Sequence, residues 1–577
     1  LSIQADPRSP ERGQYAFLQD IVRQVAYETI SKRDRKSKHL AAAEFLAATW
    51  SSEEDEVAEI VAAHYLDAYD AAPQDGDAGQ IRARAGEMLV RAAERAASLA
   101  ANAEAQRAFE RAIELTEEPL VEAQLHERAG ISAYAGTRAD EAARHWERSI
   151  DLFESAGETH APARVSARLA EVLWDRGRLE QGLESMQRSL DVLSQEAPDE
   201  GVAMLSAQVG RFLFFAGENA LGLQRIEEAL GFAETLGLPE VLSQALNTRA
   251  LIIAATGRTQ EGLLLLRHAL EVALEHDKPS AALRAYYNLA DQLSMLDRYE
   301  EAVERARNGL ALARKVGNRY WEWSLLAFGY PGFALGHWDD VLESRSALPE
   351  SDWSQARLAF ACILNSAVRI CIHRGRLEEA ARMIELAGEL EDSADVQERA
   401  YHASAKAALL LASGEASAAL RSAEAAWAFR DSQGLNHEAV KEAFVVAVQA
   451  ALQTGAVERA DELLTTVEAL APGHRSHFLD AQLSRFRAQL ALRRNEVDEA
   501  ERRFMSAVGL LRELATPFFL AVVQLEYAEW LIAEHRAEDA GPLLAEADAV
   551  FERLDARPWL RRAEQAAGAG AVTGGRS

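Results

Sequence analysis

Small and bulky apolar residues recur along most of this chain at fixed distances from a turn residue. The segments "GRTQEGLLLLRHA" (257–269), "DRYEEAVERARNG" (297–309) and "GRLEEAARMIELA" (375–387) begin with Gly or Asp and place small residues five and twelve positions later. A weaker unit turns near residues 99–102. The later turn residues lie 39 to 41 positions apart: Gly136, Gly177, Gly217, Gly257, Asp297, Gly336, Gly375, Gly414, Gly455, Asn495 and His535. A spacing held over roughly 400 residues indicates a repeat architecture.

Each repeat predicts two antiparallel helices joined at the turn residue. Gly, Asp and Asn suit a tight turn with positive φ. Small residues recur seven positions before the turn and five after it, so that the two helices can approach closely while bulkier side chains close around them. One such hairpin cannot bury its apolar face alone, but stacked hairpins can. The pattern therefore predicts an all-α solenoid of about twelve hairpins with a period of about 40 residues.

The order of small residue, turn, small, bulky and small residue resembles the tetratricopeptide repeat (TPR) over residues 80–565. The resemblance implies a TPR-like α-solenoid, a right-handed superhelix whose open concave groove holds a protein or peptide. Units here exceed the family length of about 34 residues, and we expect the extra residues in loops such as "ESAGETHAPAR" and "ETLGLPEVLSQ". Long units of this kind are similar to the sensor arrays of large bacterial signalling ATPases.

By analogy with TPR proteins, the positions thirteen, ten, six and three before each turn residue face the groove. The candidate partner-binding residues at or beside these positions are Trp174, Arg211, Phe214, Asn247, Arg284, Tyr287, Asp291, Trp323, Tyr330, Phe333, Asn365 and Arg369. Aromatic and arginine side chains are typical of protein-binding surfaces. The alternative is that the same residues are ordinary polar or packing positions on helix faces.

One unit departs from the pattern. The segment "NRYWEWSLLAFGYPGFALGHW" (318–338) is rich in aromatic residues and contains Pro331 within its first helix, which predicts a kink. Pro349 should end its second helix early. This unit is either a ligand site or hinge, or a packing adjustment where the superhelix changes pitch.

The segment before the repeats carries a second resemblance. Phe17, Val22, Tyr27, Arg35 and His39 match the pattern F-x-x-x-x-[IV]-x-x-x-x-Y followed by R-x-x-x-H. This pattern resembles the end of the winged-helix module that follows the ATPase domain of STAND-type regulators, especially those linked to class III adenylate cyclases or of the LuxR type. The resemblance implies a parent protein with an upstream ATPase domain that contacts this segment. The alternatives are a free-standing TPR adaptor and the sensor of a LuxR-type regulator without its DNA-binding domain.

These resemblances divide the chain into a helical remnant (1–75), a repeat array (76–565) and a flexible tail (566–577). The chain begins with Leu and lacks an export signal, so we expect a fragment of a bacterial, cytoplasmic protein. Its net charge of −29 argues against nucleic-acid or anionic-membrane partners. Two cysteines exclude a disulfide framework.

Signals for catalysis are weak. There is no G-x-x-x-x-G-K-[ST] phosphate loop and no G-x-S-x-G elbow. "HEAVK" (437–441) has Lys441 where a zincin requires its second histidine, and His474 and His477 lie in a loop without an evident third ligand. We therefore expect neither enzyme activity, nor a cofactor, nor a metal site, and few enclosed pockets. The residues favour a noncatalytic sensor or scaffold, and turnover by the purified chain would be needed to support an enzyme.

Overall fold

A computed structural model describes residues 2–3, 15–16, 20–49, 54–175, 178–194, 198–348, 353, 357–393, 395–471 and 473–574. Within these residues the chain is almost entirely helical. Strands β1 (Ser2–Ile3) and β2 (Tyr15–Ala16) pair antiparallel. The helices are α1 (Asp20–Glu28), α2 (Lys32–Thr49), α3 (Glu54–Ala71), α4 (Ala78–Ser98), α5 (Asn102–Leu115), α6 (Pro119–Ala135), α7 (Ala139–Ser155), α8 (His160–Asp175), α9 (Leu179–Leu193), α10 (Glu200–Phe215), α11 (Asn219–Leu236), α12 (Pro239–Ala255), α13 (Thr259–Glu275), α14 (Pro279–Met295), α15 (Tyr299–Lys315), α16 (Arg319–Leu326), α17 (Tyr330–Leu335), α18 (Trp338–Ser346), α19 (Arg357–His373), α20 (Leu377–Leu386), α21 (Val396–Ala412), α22 (Ala416–Trp427), α23 (Arg430–Gln433), α24 (Glu438–Gln453), α25 (Val457–Glu468), α26 (His477–Arg493), α27 (Val497–Glu513), α28 (Pro517–Ala533), α29 (Ala537–Arg553) and α30 (Arg557–Gly574), with a 3₁₀ turn at Gly388–Leu390.

Across the described residues, helices α4 to α29 form twelve consecutive hairpins, in which α16 and α17 together serve as one first helix. This confirms the predicted all-α, TPR-like repeat. The hairpins come from a regular turn. Gly217, Gly257 and Asp297 all have positive φ, and so do most of the other predicted turn residues for which the structure gives a conformation. In the first of them the amide of Glu218 donates to the carbonyl of Leu213, the Schellman bond that ends a helix.

The same turn also joins one hairpin to the next. Gly237, Asp277 and Gly317 have positive φ and lie 20 residues after turn residues of the first set. The period of 40 residues is thus two helices, typically of 17 residues, each followed by a short turn. Only Gly237 and Leu238 separate α11 from α12. The expectation that extra residues lie in loops was wrong, because they lengthen the helices instead.

The predicted small residues face each other across each hairpin. A Cβ placed on Gly222 would lie 3.0 Å from the carbonyl oxygen of Gly210 on the facing helix, and one on Gly262 would lie 2.8 Å from that of Ala250. The alanines predicted at these positions in later hairpins, such as Ala488, are fully buried. Close backbone approach through small side chains is therefore the contact that repeats.

The helices form two compact units, Leu1–Glu158 and Thr159–Ser577. In the first unit, Ala43 and Val61 share one hydrophobic cluster with Leu89 and Phe109. Helices α2 and α3, before residue 75, and helices α4 and α5, after it, thus contribute to the same hydrophobic cluster.

In the second unit, one hydrophobic cluster extends from Tyr299 to Ala566. Helix α30 extends to Gly574, since alanine favours helix, and Ala566 is buried.

The second unit closes on itself across about 180 residues. Arg374 Nε donates to the carbonyl oxygen of Leu554 at 3.1 Å, and Trp559 Nε1 lies 3.3 Å from His373 Nδ1. Helix α19 thereby contacts the end of α29 and the start of α30. The expectation of an open groove with few enclosed sites is wrong for this region, because successive turns of the superhelix touch and bury the residues between them.

No helix in the described part of the chain combines the length and apolar character needed to cross a membrane.

Candidate binding site

Polar side chains line the first helices of the hairpins in the middle of the second unit. We call this set the inner polar strip and define it as Gln208, Gln244, Asn247, Arg284, Tyr287, Asn288, Asp291, Asn365, Arg369, Tyr401, Glu438, Lys441 and Glu442. Hydrogen bonds connect members on successive helices. Arg284 Nη1 donates to Gln244 Oε1 at 3.0 Å, and Asn288 Nδ2 donates to Asn247 Oδ1 at 2.7 Å. Residues about 40 apart meet because the repeat places equivalent positions of neighbouring first helices side by side.

An ion pair between α19 and α24 forms the centre of the strip. Arg369 Nη1 lies 3.5 Å from Glu442 Oε2, and both side chains are only 4% exposed. Tyr330 donates its hydroxyl hydrogen to Glu442 Oε1 at 2.9 Å, and Arg369 Nη2 donates to Ser404 Oγ at 2.7 Å. Burial, and next the charge of Glu442, raise the pKa of Tyr330 well above its usual value, which keeps this donor protonated.

A second buried ion pair joins distant repeats. Lys441 Nζ lies 3.2 Å from Asp297 Oδ1, and both side chains are inaccessible to solvent. Asp297 also accepts a hydrogen bond from Tyr299 Oη at 2.8 Å and one from the backbone amide of Phe478 at 2.7 Å. The turn residue of one hairpin thus holds α24 and caps the start of α26.

Two carboxyl groups of the strip, Asp291 and Glu438, interact with each other and form no ion pair with another of the described residues. Burial raises the pKa of Asp291 to about 6. Burial, followed by the negative charge of Asp291, raises the pKa of Glu438 to about 7. Tyr401 donates to Glu438 Oε1 at 3.0 Å. Lys441 stabilises both carboxylates only at a distance, since its ammonium group is bound to Asp297. This end of the strip therefore favours a positively charged group.

Some amide groups of the strip have no hydrogen-bond partner among the described residues. Asn365 is fully buried, and neither its Oδ1 nor its Nδ2 has a partner among these residues. Asn247 Nδ2 likewise lacks a partner among them. Asn365 lies one helical turn before Arg369 on α19. A buried amide without a partner costs about 1–3 kcal/mol, and such groups are rare in folded proteins. Each of these atoms can form a hydrogen bond with a complementary polar group.

The structure brings together several of the predicted groove residues and separates others. Asn247, Arg284, Tyr287, Asp291, Asn365 and Arg369 belong to the inner polar strip, and Tyr330 bonds to it. Arg211 and Phe214 lie half-buried on α10, where the guanidinium of Arg211 approaches the ring of Phe215 at 5.4 Å. The side chain of Trp174 lies outside the described residues.

The aromatic segment 318–338 is largely core. Its first helix is broken into α16 and α17, as Pro331 predicted, and α18 ends at Ser346. Phe333 is 1% exposed and stacks on Trp338 with ring centroids 6.1 Å apart. Trp323 is 2% exposed. Of the two interpretations of this segment, packing accounts for Phe333 and Trp323, whereas Tyr330 also contacts the strip.

Sequence reasoning missed the charged residues of α24. Glu438, Lys441 and Glu442 are at most 7% exposed, whereas the sequence motif of this segment indicates only an incomplete zinc site. A signal was present, since three charged residues at spacing i, i+3 and i+4 form one face of an otherwise apolar helix, "EAVKEAFVVAVQAAL". Charged residues are almost never fully buried unless they are paired.

No protein-family model matches the sequence, and no curated protein is similar to it in sequence. Among solved structures, the chain is similar to a Rap protein complexed with competence and sporulation factor, with 15% identity over 68% of this chain and 99% of that chain and a TM-score of 0.41. It is also similar to BtubC (BKLC) from P. vanneervenii, with 13% identity over 43% of this chain and 93% of that chain and a TM-score of 0.28. The fold follows from the chain's own helices and turns, and these two likenesses add nothing about a ligand.

Proposed function

We propose that this chain is a noncatalytic sensor that binds a peptide, or an extended segment of a protein, along the inner polar strip. The observation that carries the proposal is the buried amide of Asn365, whose donor and acceptor both lack a partner among the described residues. A peptide backbone offers one carbonyl and one N–H per residue and can satisfy both atoms. Arg369 and Glu442, already paired, border the same position.

The charge of the strip selects among peptides. In the part of the chain that the structure describes, Asp291 and Glu438 form no ion pair, so a peptide with a basic side chain or a free N-terminal amine would be favoured there. Such a ligand stabilises the ionised carboxylates. Its binding should therefore release protons and strengthen as the pH rises from about 5 to 7, the range set by the pKa values of these two groups.

The test uses peptides selected from a displayed random library against the whole chain. Each selected peptide is titrated calorimetrically against the wild type, Asn365→Leu and the matched variant Asn308→Leu, which changes an exposed Asn on α15. We expect at least a tenfold loss of affinity for N365L and no change for N308L. Equal affinity of the wild type and N365L would refute the proposed site. Mass spectrometry of the recovered peptide should show it unchanged, whereas a cleaved or modified peptide would favour an enzyme.

We propose further that binding is sensed by a nucleotide-binding module of the STAND type. Among the residues that match the winged-helix pattern, Tyr27 contacts both Arg35 and His39. Tyr27 Oη lies 2.9 Å from His39 Nε2, and the guanidinium of Arg35 lies 5.0 Å from the ring centroid of Tyr27. Phe17 and the side chain of Val22 lie outside the described residues. Val25 and Phe45 are exposed apolar residues of the same segment, with 57% and 67% of their surface accessible.

A ligand alters such a module only if it binds one conformation better than another. The parent can be tested by sequencing upstream of the codon for Leu1. An open reading frame with a phosphate-binding loop would support the STAND parent, and a start codon with a ribosome-binding site would support the free-standing adaptor.

A further inference from the structure

Two histidines and an aspartate converge in the first unit, far from the inner polar strip in sequence. His39 on α2 and His64 on α3 bring their Nδ1 atoms to 3.0 Å. Asp67, one helical turn after His64, places Oδ2 at 3.5 Å from His39 Nδ1. All three ligand atoms lie within 4.8 Å of one another. In tetrahedral zinc sites with bonds of about 2.0–2.1 Å, ligand atoms are separated by about 3.3 Å. The distances of 3.0 Å from His39 to His64 and 3.5 Å from His39 to Asp67 are close to this separation.

The surroundings of the three residues also suit a metal ion. Tyr27 Oη lies 2.9 Å from His39 Nε2, the ring nitrogen that faces away from His64. A hydrogen bond at the far nitrogen fixes the ring orientation of a metal-binding histidine. Asp67 is 53% exposed at its side chain, so the cluster opens to solvent on one side.

A second histidine pair in the same unit provides a contrast. His126 and His145 place their Nδ1 atoms 2.9 Å apart, which is almost the same distance. The neighbouring carboxylates, however, lie at the Nε2 atoms, on the far side of each ring from the Nδ1 contact. Glu110 Oε1 lies 3.1 Å from His145 Nε2, and Glu122 Oε1 lies 3.9 Å from His126 Nε2. Only two nitrogens converge there, and a simple histidine–histidine hydrogen bond explains that pair.

We propose that His39, His64 and Asp67 bind one divalent transition-metal ion, of which Zn²⁺ is the best match, with an open fourth position. Two imidazoles and one carboxylate leave room for water or for a ligand from another molecule. Because the site ties α2 to α3, metal binding should stabilise the first unit. It is independent of peptide binding in the second unit, and either proposal can fail without the other.

The test is a titration of the metal-free 577-residue chain with Zn²⁺ against a competing chromophoric chelator, and with Co²⁺ by visible absorption. We expect one equivalent to bind, with the intense visible band of four-coordinate cobalt. His39→Ala and His64→Ala should lose at least tenfold in Zn²⁺ affinity, whereas the control His126→Ala should agree with the wild type within about twofold.

Two milder variants guard against misfolding. Asp67→Asn changes an exposed side chain and should weaken Zn²⁺ binding at least tenfold without altering the circular dichroism. Tyr27→Phe keeps all three ligands and should weaken binding by about 10–100-fold, the usual effect of removing the hydrogen bond at the far nitrogen. The proposal is overturned if the wild type binds no stoichiometric metal, or if D67N, H39A and H64A all bind as the wild type does.

Discussion

Replacing Asp297 by glycine should destabilise this protein, although glycine is the residue that most hairpins carry at the same turn. Asp297 has φ of 58°, a conformation that glycine adopts without strain. Its carboxylate, however, accepts hydrogen bonds from Tyr299 Oη, Lys441 Nζ and the amide of Phe478. Asp297→Gly relieves the strain of the positive φ and removes the carboxylate that accepts these three hydrogen bonds.

The structure indicates which effect is larger. Removing one partner of a buried ion pair costs about 3–5 kcal/mol, because the remaining charge stays buried and unpaired. Relief of the left-handed backbone returns about 1–2 kcal/mol. We therefore expect a net loss of about 1–4 kcal/mol. Replacing Asn495 by glycine, at a turn residue with φ of 61° and an exposed side chain, should stabilise by about 1–2 kcal/mol, since only the backbone relief applies there.

The assay is urea unfolding of the wild type, D297G and N495G, combined with amide hydrogen exchange, because a repeat array need not unfold in a single transition. In D297G, exchange should accelerate in the first turn of α26, where the amide of Phe478 loses its acceptor. If D297G unfolds at the same or a higher urea concentration than the wild type, as N495G is expected to do, the buried ion pair does not hold the repeats together.

Three further predictions test the packing, the strip and its ionisation. Gly262→Ala should destabilise the protein by about 1–3 kcal/mol in urea unfolding, because its Cβ would lie 2.8 Å from the facing backbone oxygen. Gly231→Ala, which has open space around it, should stabilise the protein by up to about 1 kcal/mol. Equal changes in the free energy of unfolding for the two variants would contradict the close approach of the helices. Tyr330→Phe should lower stability by about 1–3 kcal/mol, since it leaves a buried carboxylate oxygen without its donor, and an unchanged unfolding midpoint would show that this bond contributes nothing. Glu438→Gln should change the dependence of stability on pH. The folded protein keeps this proton up to a pH of about 7 whereas the unfolded chain loses it near 4.5, so Glu438 lowers wild-type stability as the pH rises between these values. The free energy of unfolding of E438Q minus that of the wild type should grow by up to roughly 3 kcal/mol across that range. A difference that does not vary with pH would refute the raised pKa.

The hairpins could be predicted from the sequence because their determinants are local and repeated. Gly210 and Gly222 lie on either side of one turn, and their close approach depends only on two helices and the turn between them. The same applies to Pro331, which interrupts its own helix. The same arrangement of small residues and turn residue recurs in each hairpin, so the repeat can be recognised without knowledge of distant contacts.

The inner polar strip and the closure of the second unit were decided by tertiary structure. Asp297 and Lys441 are 144 residues apart, and their meeting depends on the summed rotation of several repeats. The local sequence pattern does not determine this summed rotation. In the sequence, Asp297 therefore resembles an ordinary turn residue, and Lys441 occupies the position of a missing zinc ligand.

The same limit applies to the first unit. His64 and Asp67 share one face of a helix, which the sequence shows, but the third ligand, His39, lies 25 residues before His64 on another helix. Sequence periodicity determines which faces of helices are apolar, and therefore the repeat. Polar side chains are excluded from the contacts between apolar faces. Only the packing of those apolar faces in the tertiary structure determines which polar side chains come within bonding distance of one another.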